Sequence, residues 1–312
     1  MNRKRLSRLA TALISVGLLG AMVAAAPVAA KTPGWSISEI TKLPAVVADG
    51  GVAGYSFRIS NTGKSNISAL YLTDAYVGAP VYFSSSRGTA PCTLSPDLRC
   101  AFGALNANAF IDVTIAYTVG TTNFSDTFKL DSTGDPAGGN NSHGDSFLKS
   151  VTTTVSTNSN FDGGFTTAAA QLLQTNQTLG RSNKQASSLV SPDTLIPATI
   201  EDGITTGVPC TIGACARQIG EWTNLSVNGG ATYSSAFKVT LMIWGGAVPN
   251  GANANNIFLL HTRDNGTTYA ITTACNSATA PTNAECITVT KVGNNFRIVA
   301  WLFSNGNLRG GY

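Results

Sequence analysis

Residues 54–74 read GYSFRISNTGKSNISALYLTD, and the fold class follows from the way they alternate. Tyr55, Phe57 and Ile59 are interleaved with Ser56, Arg58 and Ser60. After a polar Asn-Thr-Gly-Lys-Ser stretch a second run starts at Ile67, with Leu70 and Leu72 on one face and Tyr71 and Thr73 on the other. An apolar period of two marks a β-strand with one buried face. Asn and Gly between two such runs are a turn signal, so the spacing predicts two strands paired as a hairpin. Two strands alone are marginal in water, so more sheet must surround them.

Working outward, further short strands are expected around Ile37 and Ile40, at 44–47, at 81–83, at 101–105 and at 110–119. Asp49-Gly-Gly supplies a turn, and Cys92 and Cys100 bracket a hairpin-like loop containing Pro96, with Pro91 just before it. About seven short strands with turns every 8–12 residues is the pattern of an Ig-like β-sandwich. No long segment shows a helical period.

The order Gly-x-x-x-Tyr-x-Phe-x-Ile-x-Asn-Thr-Gly over 51–63, a strand closing on Asp74, and Cys92…Cys100-x-Phe-Gly-x-Leu followed by Val113-Thr-Ile are the residues of a family pattern. Across residues 35–120 the chain resembles the domain-of-unknown-function family number eleven, Ig-like β-sandwich repeats of secreted and surface proteins of bacteria and archaea. The resemblance implies an extracellular setting and a spacer or adhesive role. It brings no catalytic residues.

The expected organisation is a leader over 1–30, a first sandwich over 31–120, a Gly/Asn/Asp-rich connecting region with one strand over 121–164, and a second β-sandwich over 165–312. The second is read from strong alternation between Tyr233 and Trp244, and from Asn-Gly turns at 250, 265 and 305. Its C-terminal part is weakly similar to β modules of other secreted bacterial proteins. Within the connecting region Asp131, Asp135, Asn140, Asn141 and Asp145 form a calcium candidate, because hard cations take clustered oxygen ligands. The competing reading is an Asx-rich turn that bonds its own backbone.

The leader itself is a secretory signal: Arg3, Lys4, Arg5 and Arg8, an apolar run over 9–26, then small residues before Lys31. It holds four of the 20 basic residues and none of the 16 acidic ones, so the remainder is near neutral. That balance gives no basic footprint for nucleic acid, and no second apolar span argues for membrane insertion after cleavage. All six cysteines follow the leader as near neighbours: Cys92 with Cys100, Cys210 with Cys215, and Cys275 with Cys286. An even count in an exported chain implies disulfides, and local pairing is expected.

Two histidines are few for acid–base or zinc chemistry. Ser142-His143-Gly-Asp145 clusters in sequence, which is not how a triad is assembled. His261 is expected at the end of an alternating strand. Among the tryptophans, Trp244 and Trp301 continue strand alternation and are expected in the core, whereas Trp222 beside Glu221 is the surface, ligand-stacking candidate. The sequence therefore points to an all-β chain of two antiparallel Ig-like sandwiches, non-enzymatic and without a cofactor, partnering surface proteins or glycans. The alternative is a carbohydrate-binding module, calcium-assisted.

Overall fold

The computed structural model describes residues 34–312 apart from 75–79, 89–91, 95–97, 133–146, 205–214, 231–232, 234 and 277–278. The leader expected over 1–30 lies outside the described residues. The chain is all-β: two short 3-10 turns interrupt 21 strands, and no α-helix occurs among the described residues.

Ten strands make a first sandwich: β1 (Trp35–Leu43), β2 (Val46–Ala48), β3 (Val52–Asn61), β4 (Ile67–Asp74), β5 (Tyr82–Ser85), β6 (Cys92–Thr93), β7 (Arg99–Leu105), β8 (Phe110–Thr118), β9 (Phe124–Ser132) and β10 (Phe147–Ser156). One sheet runs β1-β3-β8-β5 and the other β2-β10-β9-β4-β7-β6. All pairings are antiparallel except β2 with β10. Tyr55, Phe57 and Ile59 of the first sheet and Leu70, Leu72, Phe128 and Leu130 of the second are buried in one core. Phe57 and Phe128 meet across it with ring centroids 4.6 Å apart.

The pair over 54–74 is therefore not a hairpin. β3 pairs with β1 and β8, whereas β4 pairs with β7 and β9 in the facing sheet. The polar link arches over the end of the core, held by Asn61, which is 1% exposed. Its amide donates to the carbonyls of Ser65 (2.9 Å) and Leu105 (3.0 Å) and accepts from Gly63 N–H (3.0 Å). Alternation fixes which face of a strand is buried; it does not say whether the neighbour lies beside it or across the core.

The region over 121–164 also departs from its expected form. It carries β9 and β10, which complete the second sheet. Phe124, Phe128 and Leu130 of β9 enter the core. The Gly/Asn/Asp-rich middle masked this alternation in the sequence.

The second sandwich holds β11 (Phe161–Phe165), β12 (Leu172–Gln174), β13 (Gln185–Val190), β14 (Pro197–Ile204), β15 (Gln218–Val227), β16 (Phe237–Ile243), β17 (Phe258–Arg263), β18 (Thr268–Ile271), β19 (Cys286–Val292), β20 (Asn295–Leu302) and β21 (Gly306–Gly311). Its sheets run β11-β14-β15-β21-β17-β18 and β12-β13-β16-β20-β19. Leu189, Val239, Leu241, Ile298 and Leu302 from one sheet pack on Ile200, Leu225, Leu259 and Leu308 from the other.

Only residues 157–160 separate β10 from β11. Phe165 is 1% exposed and lies 5.9 Å, centroid to centroid, from Tyr82 of the first sandwich. Gly54 makes room for it: a Cβ there would come within 2.9 Å of the Phe165 ring. The junction is a packed contact, since a short connection and a buried aromatic leave little freedom for a hinge.

Cys92 and Cys100 face each other in the β6–β7 register and are disulfide-bonded, with Cα atoms 4.0 Å apart. Cys275 and Cys286 are bonded with Cα atoms 5.0 Å apart. Cys215 is disulfide-bonded as well. Cys210, its expected partner, lies outside the described residues.

Candidate functional site

The side chains with acid–base chemistry gather at one edge of the second sandwich. β18 and β19 are the edge strands of the two sheets there. Asn265-Gly266 turns β17 into β18, with Gly266 at φ +82°, a left-handed conformation that glycine adopts without strain. The turn sets His261 directly opposite Tyr269. The chain after β18 then runs back along β19, where Thr273 and Cys275 bond to Ile287, and the Cys275–Cys286 disulfide locks it. Glu285, next to Cys286, is thereby delivered to the same place.

Four side chains form one network. Tyr269 donates its hydroxyl proton to Glu285 Oε2. Arg263 Nε donates to the Tyr269 hydroxyl oxygen at 3.0 Å, and its guanidinium lies over the Tyr269 ring. His261 Nδ1 is 3.0 Å from the same hydroxyl and 3.5 Å from Glu285 Oε2. His261 Nε2 lies 3.2 Å from the Asn305 carbonyl. A carbonyl only accepts, so Nε2 carries a proton. Glu285 Oε1 also accepts from Phe303 N–H at 3.2 Å.

Burial alone would raise the Glu285 carboxyl, but the bonds to His261 and Tyr269, the His261 charge and the Phe303 amide outweigh it and hold Glu285 below its ordinary value. The Tyr269 hydroxyl is pushed up, first by burial and then by the Glu285 bond and charge, against the opposing Arg263. His261 is fully buried and both its nitrogens are engaged, so the ring meets no solvent. What the network shows outward is a cavity of about 470 Å3 lined by Arg263, Tyr269, Thr273, Asn283, Glu285 and Phe303. Its wall combines a guanidinium, a carboxylate, an amide and aromatic rings. It sets hydrogen-bond donors and acceptors side by side next to aromatic surface.

Two further polar clusters lie inside the cores. In the second sandwich Asp202, 3% exposed, accepts from Thr175 Oγ1 (2.6 Å), Ser187 Oγ (2.6 Å) and Thr223 Oγ1 (2.5 Å), with Gln185 Nε2 at 3.4 Å. In the first sandwich Asp126 is buried beside Asp74, which accepts from the Tyr117 hydroxyl. Burial, followed by the hydrogen bond and charge of Asp74, pushes Asp126 up to about 9 against the opposing Thr127 amide.

Trp222 corrects the expectation placed on it. It is 3% exposed and belongs to the second core. Gly220 takes φ +72°, and the β15–β21 register shifts between Ile219 and Thr223, so a bulge interrupts the alternation and both Trp222 and Thr223 become buried. Trp244 and Trp301, expected in the core, are each half-buried. Of the calcium candidate only Asp131 is described: it sits in β9 opposite Tyr71 and pairs with Lys129 at 3.5 Å. Asp135, Asn140, Asn141 and Asp145 lie outside the described residues, as does His143. Among the described residues no three or more His, Cys, Asp or Glu side chains are grouped to hold a metal.

Reading the sequence residue by residue missed Tyr269 and Glu285. Counting back from the Asn265-Gly266 turn would have paired His261 with Tyr269, and the Cys275–Cys286 link would have drawn Glu285 in.

No family model matches the chain, so the pattern over 35–120 is carried by its residues alone. No curated protein matches it. Among solved structures it is similar to the CARDB domain of a Pyrococcus furiosus protein, at 16% identity and TM-score 0.25 over 40% of this chain and 90% of that one. A cohesin module of a Clostridium perfringens family 33 glycoside hydrolase aligns at 11% identity and TM-score 0.25, covering 40% and 97%. The C-terminal domain of the Streptococcus agalactiae antigen I/II polypeptide BspA aligns at 8% identity and TM-score 0.30, covering 89% of each chain. Among the described residues no helix is long and apolar enough to cross a membrane.

Proposed function

We propose that this is a non-catalytic protein of the bacterial cell exterior, secreted or held at the surface, in which two β-sandwiches serve a structural or adhesive role. The observation that carries this reading is that the acid–base side chains are turned on one another inside the sandwiches. His261 is sealed from solvent, Asp202 is enclosed by hydroxyls, and Asp126 is buried against Asp74. The disulfides and the packed junction support a rigid exported body. The family resemblance over 35–120 supports the same setting. Fractionation of the producing cells tests it: the chain should appear in the medium or the surface fraction, and deleting it should reduce attachment. Turnover of a substrate by purified protein with no surface association would overturn it.

A second reading, a carbohydrate-binding module, is favoured by the cavity lined by Arg263, Tyr269, Asn283 and Glu285. Planar polar side chains beside aromatic surface suit sugar hydroxyls and ring faces. Glycan-array binding lost in Arg263→Ala would support it. A blank array with and without calcium would remove it.

A further inference from the structure

The far end of the second sandwich holds a second cavity of about 470 Å3, and its chemistry is cationic. The two cavities lie at opposite ends of β21: Gly306 pairs with Arg263, whereas Gly311 pairs with Gln218 and Phe258. Lys184, Arg217 and Arg309 line the far cavity together with Gly220, Gly246 and Asn250.

Among the described residues none of these three cations has a carboxylate oxygen within ion-pair distance. Glu221 is the one acidic side chain shown to act there: its Oε1 accepts from Lys184 N–H at 3.3 Å, and its charge reaches Arg309. Arg309 is fixed in place. Its Nη2 donates to the Gly220 carbonyl at 3.0 Å and its guanidinium lies 5.8 Å from the Trp222 ring. Its Nε is buried without a hydrogen-bond partner. A half-buried guanidinium is ordinarily kept beside a carboxylate, because desolvating a cation with no counter-charge is costly. Burial indeed lowers the Arg309 pKa, with only Glu221 acting against it.

Gly220 and Gly246 line the cavity with backbone. Packing behind them requires glycine: a Cβ at Gly220 would come within 2.4 Å of the buried Gln185 Oε1, and one at Gly246 within 2.5 Å of the Trp244 ring. Glu221 and the Tyr312 main-chain oxygen, which accepts from Arg217 N–H at 2.9 Å, are the anionic or carbonyl acceptors set beside the three cations, so positive charge remains in excess. We propose that this cavity is a phosphate-binding site, taking a dianionic phosphoryl group either as free inorganic phosphate or as a phosphate ester. The Arg217 and Arg309 forks and the Lys184 ammonium supply the donors that such a group uses. The proposal is independent of where the protein resides.

Titration calorimetry of the full chain at low ionic strength tests it, with inorganic phosphate and glucose 6-phosphate as separate probes. Saturable binding at one site is expected, weakening about tenfold in Arg217→Ala and again in Lys184→Ala, and falling as salt rises. Tighter glucose 6-phosphate assigns the site to esters, and tighter inorganic phosphate assigns it to the free ion. Arg309→Lys should also weaken binding, but Arg309 supports Gly220 and Trp222, so the two exposed positions decide the matter. No saturable binding of either probe, or binding undiminished in a folded Arg217→Ala/Lys184→Ala double variant, overturns the proposal.

Discussion

In the first sandwich the buried Asp126 lies against Asp74 and among aromatic rings; in the second, Asp202 is ringed by Thr175, Ser187, Thr223 and Gln185. Both are aspartates on strands with almost no exposure. The first core answers a buried acid with a proton, the second with donors. A carboxyl beside another carboxyl in apolar surroundings is favoured neutral, whereas the hydroxyls around Asp202 satisfy its oxygens by hydrogen bonds. The same residue type therefore weakens one sandwich at neutral pH and knits the other together.

Asp202 carries the largest expected effect. Asp202→Ala removes the carboxylate on which the hydroxyls of Thr175, Ser187 and Thr223 converge and opens a buried polar gap, and the loss should be about 4 kcal/mol. Denaturant unfolding should show it, and an Asp202→Ala protein as stable as the parent would break the contrast. The Cys275–Cys286 link comes next. Cross-linking across 11 residues is worth about 2.8 kcal/mol on the chain-entropy relation. A Cys275→Ser/Cys286→Ser variant should lose that amount and loosen the Arg263–Glu285 cavity, which sits beside the staple. The first sandwich should be left unaffected, as hydrogen exchange resolved by segment would show.

The contrast marks how much of the molecule was legible in its sequence. Alternation at Tyr55, Phe57 and Ile59 gave the strand, its inward face and the all-β class, because a period of two has one physical meaning. It could not say that β4 lies across the core from β3, because facing and adjacent strands need the same pattern. Trp222 was misplaced because its charged neighbour Glu221 reads as a mark of exposure, whereas adjacent residues of a strand point to opposite faces. The polar networks were invisible for another reason. Asp202, Ser187 and Thr223 come from three strands, and each alone reads as an ordinary surface residue. The Tyr269–Glu285 pair was hidden only until the turn and the disulfide were both used to bring the segments together.

Asp126 should respond to substitution with the opposite sign. Its ordinary value is 3.8 and its folded value is about 9, so between those limits the folded chain holds a proton that the unfolded chain releases. Stability then falls as pH rises from about 4 to about 9 and levels off above, with the contribution fully present only below the unfolded value. Asp126→Asn removes the titration and keeps the shape. The variant should melt about 5 °C higher than the parent at pH 7. Its advantage should vanish near pH 4. A melting temperature unchanged or lower at pH 7 would mean that the first core satisfies the charged carboxylate after all.

Glu285 sets the smallest effect and the finest test, because it lies between the two cases: buried like Asp126, yet bonded like Asp202. Its carboxyl is held below its ordinary 4.5 by His261, Tyr269 and the Phe303 amide in spite of burial. A depressed folded value means that the stabilisation is present above the unfolded value and is lost as pH falls through the folded one. Glu285→Gln keeps an oxygen for the Phe303 amide and removes the charge facing His261 and Arg263. The variant should be about 1 kcal/mol less stable at pH 7, the difference between a charged and a neutral acceptor. The gap should close as the pH is lowered below 4.5, because the parent then protonates and comes to resemble the variant. Thermal melts of both proteins across the acid range read this directly. A gap that persists unchanged at low pH would show that Glu285 acts through its shape, and the cavity would then owe its form to the disulfide and the Asn265-Gly266 turn alone.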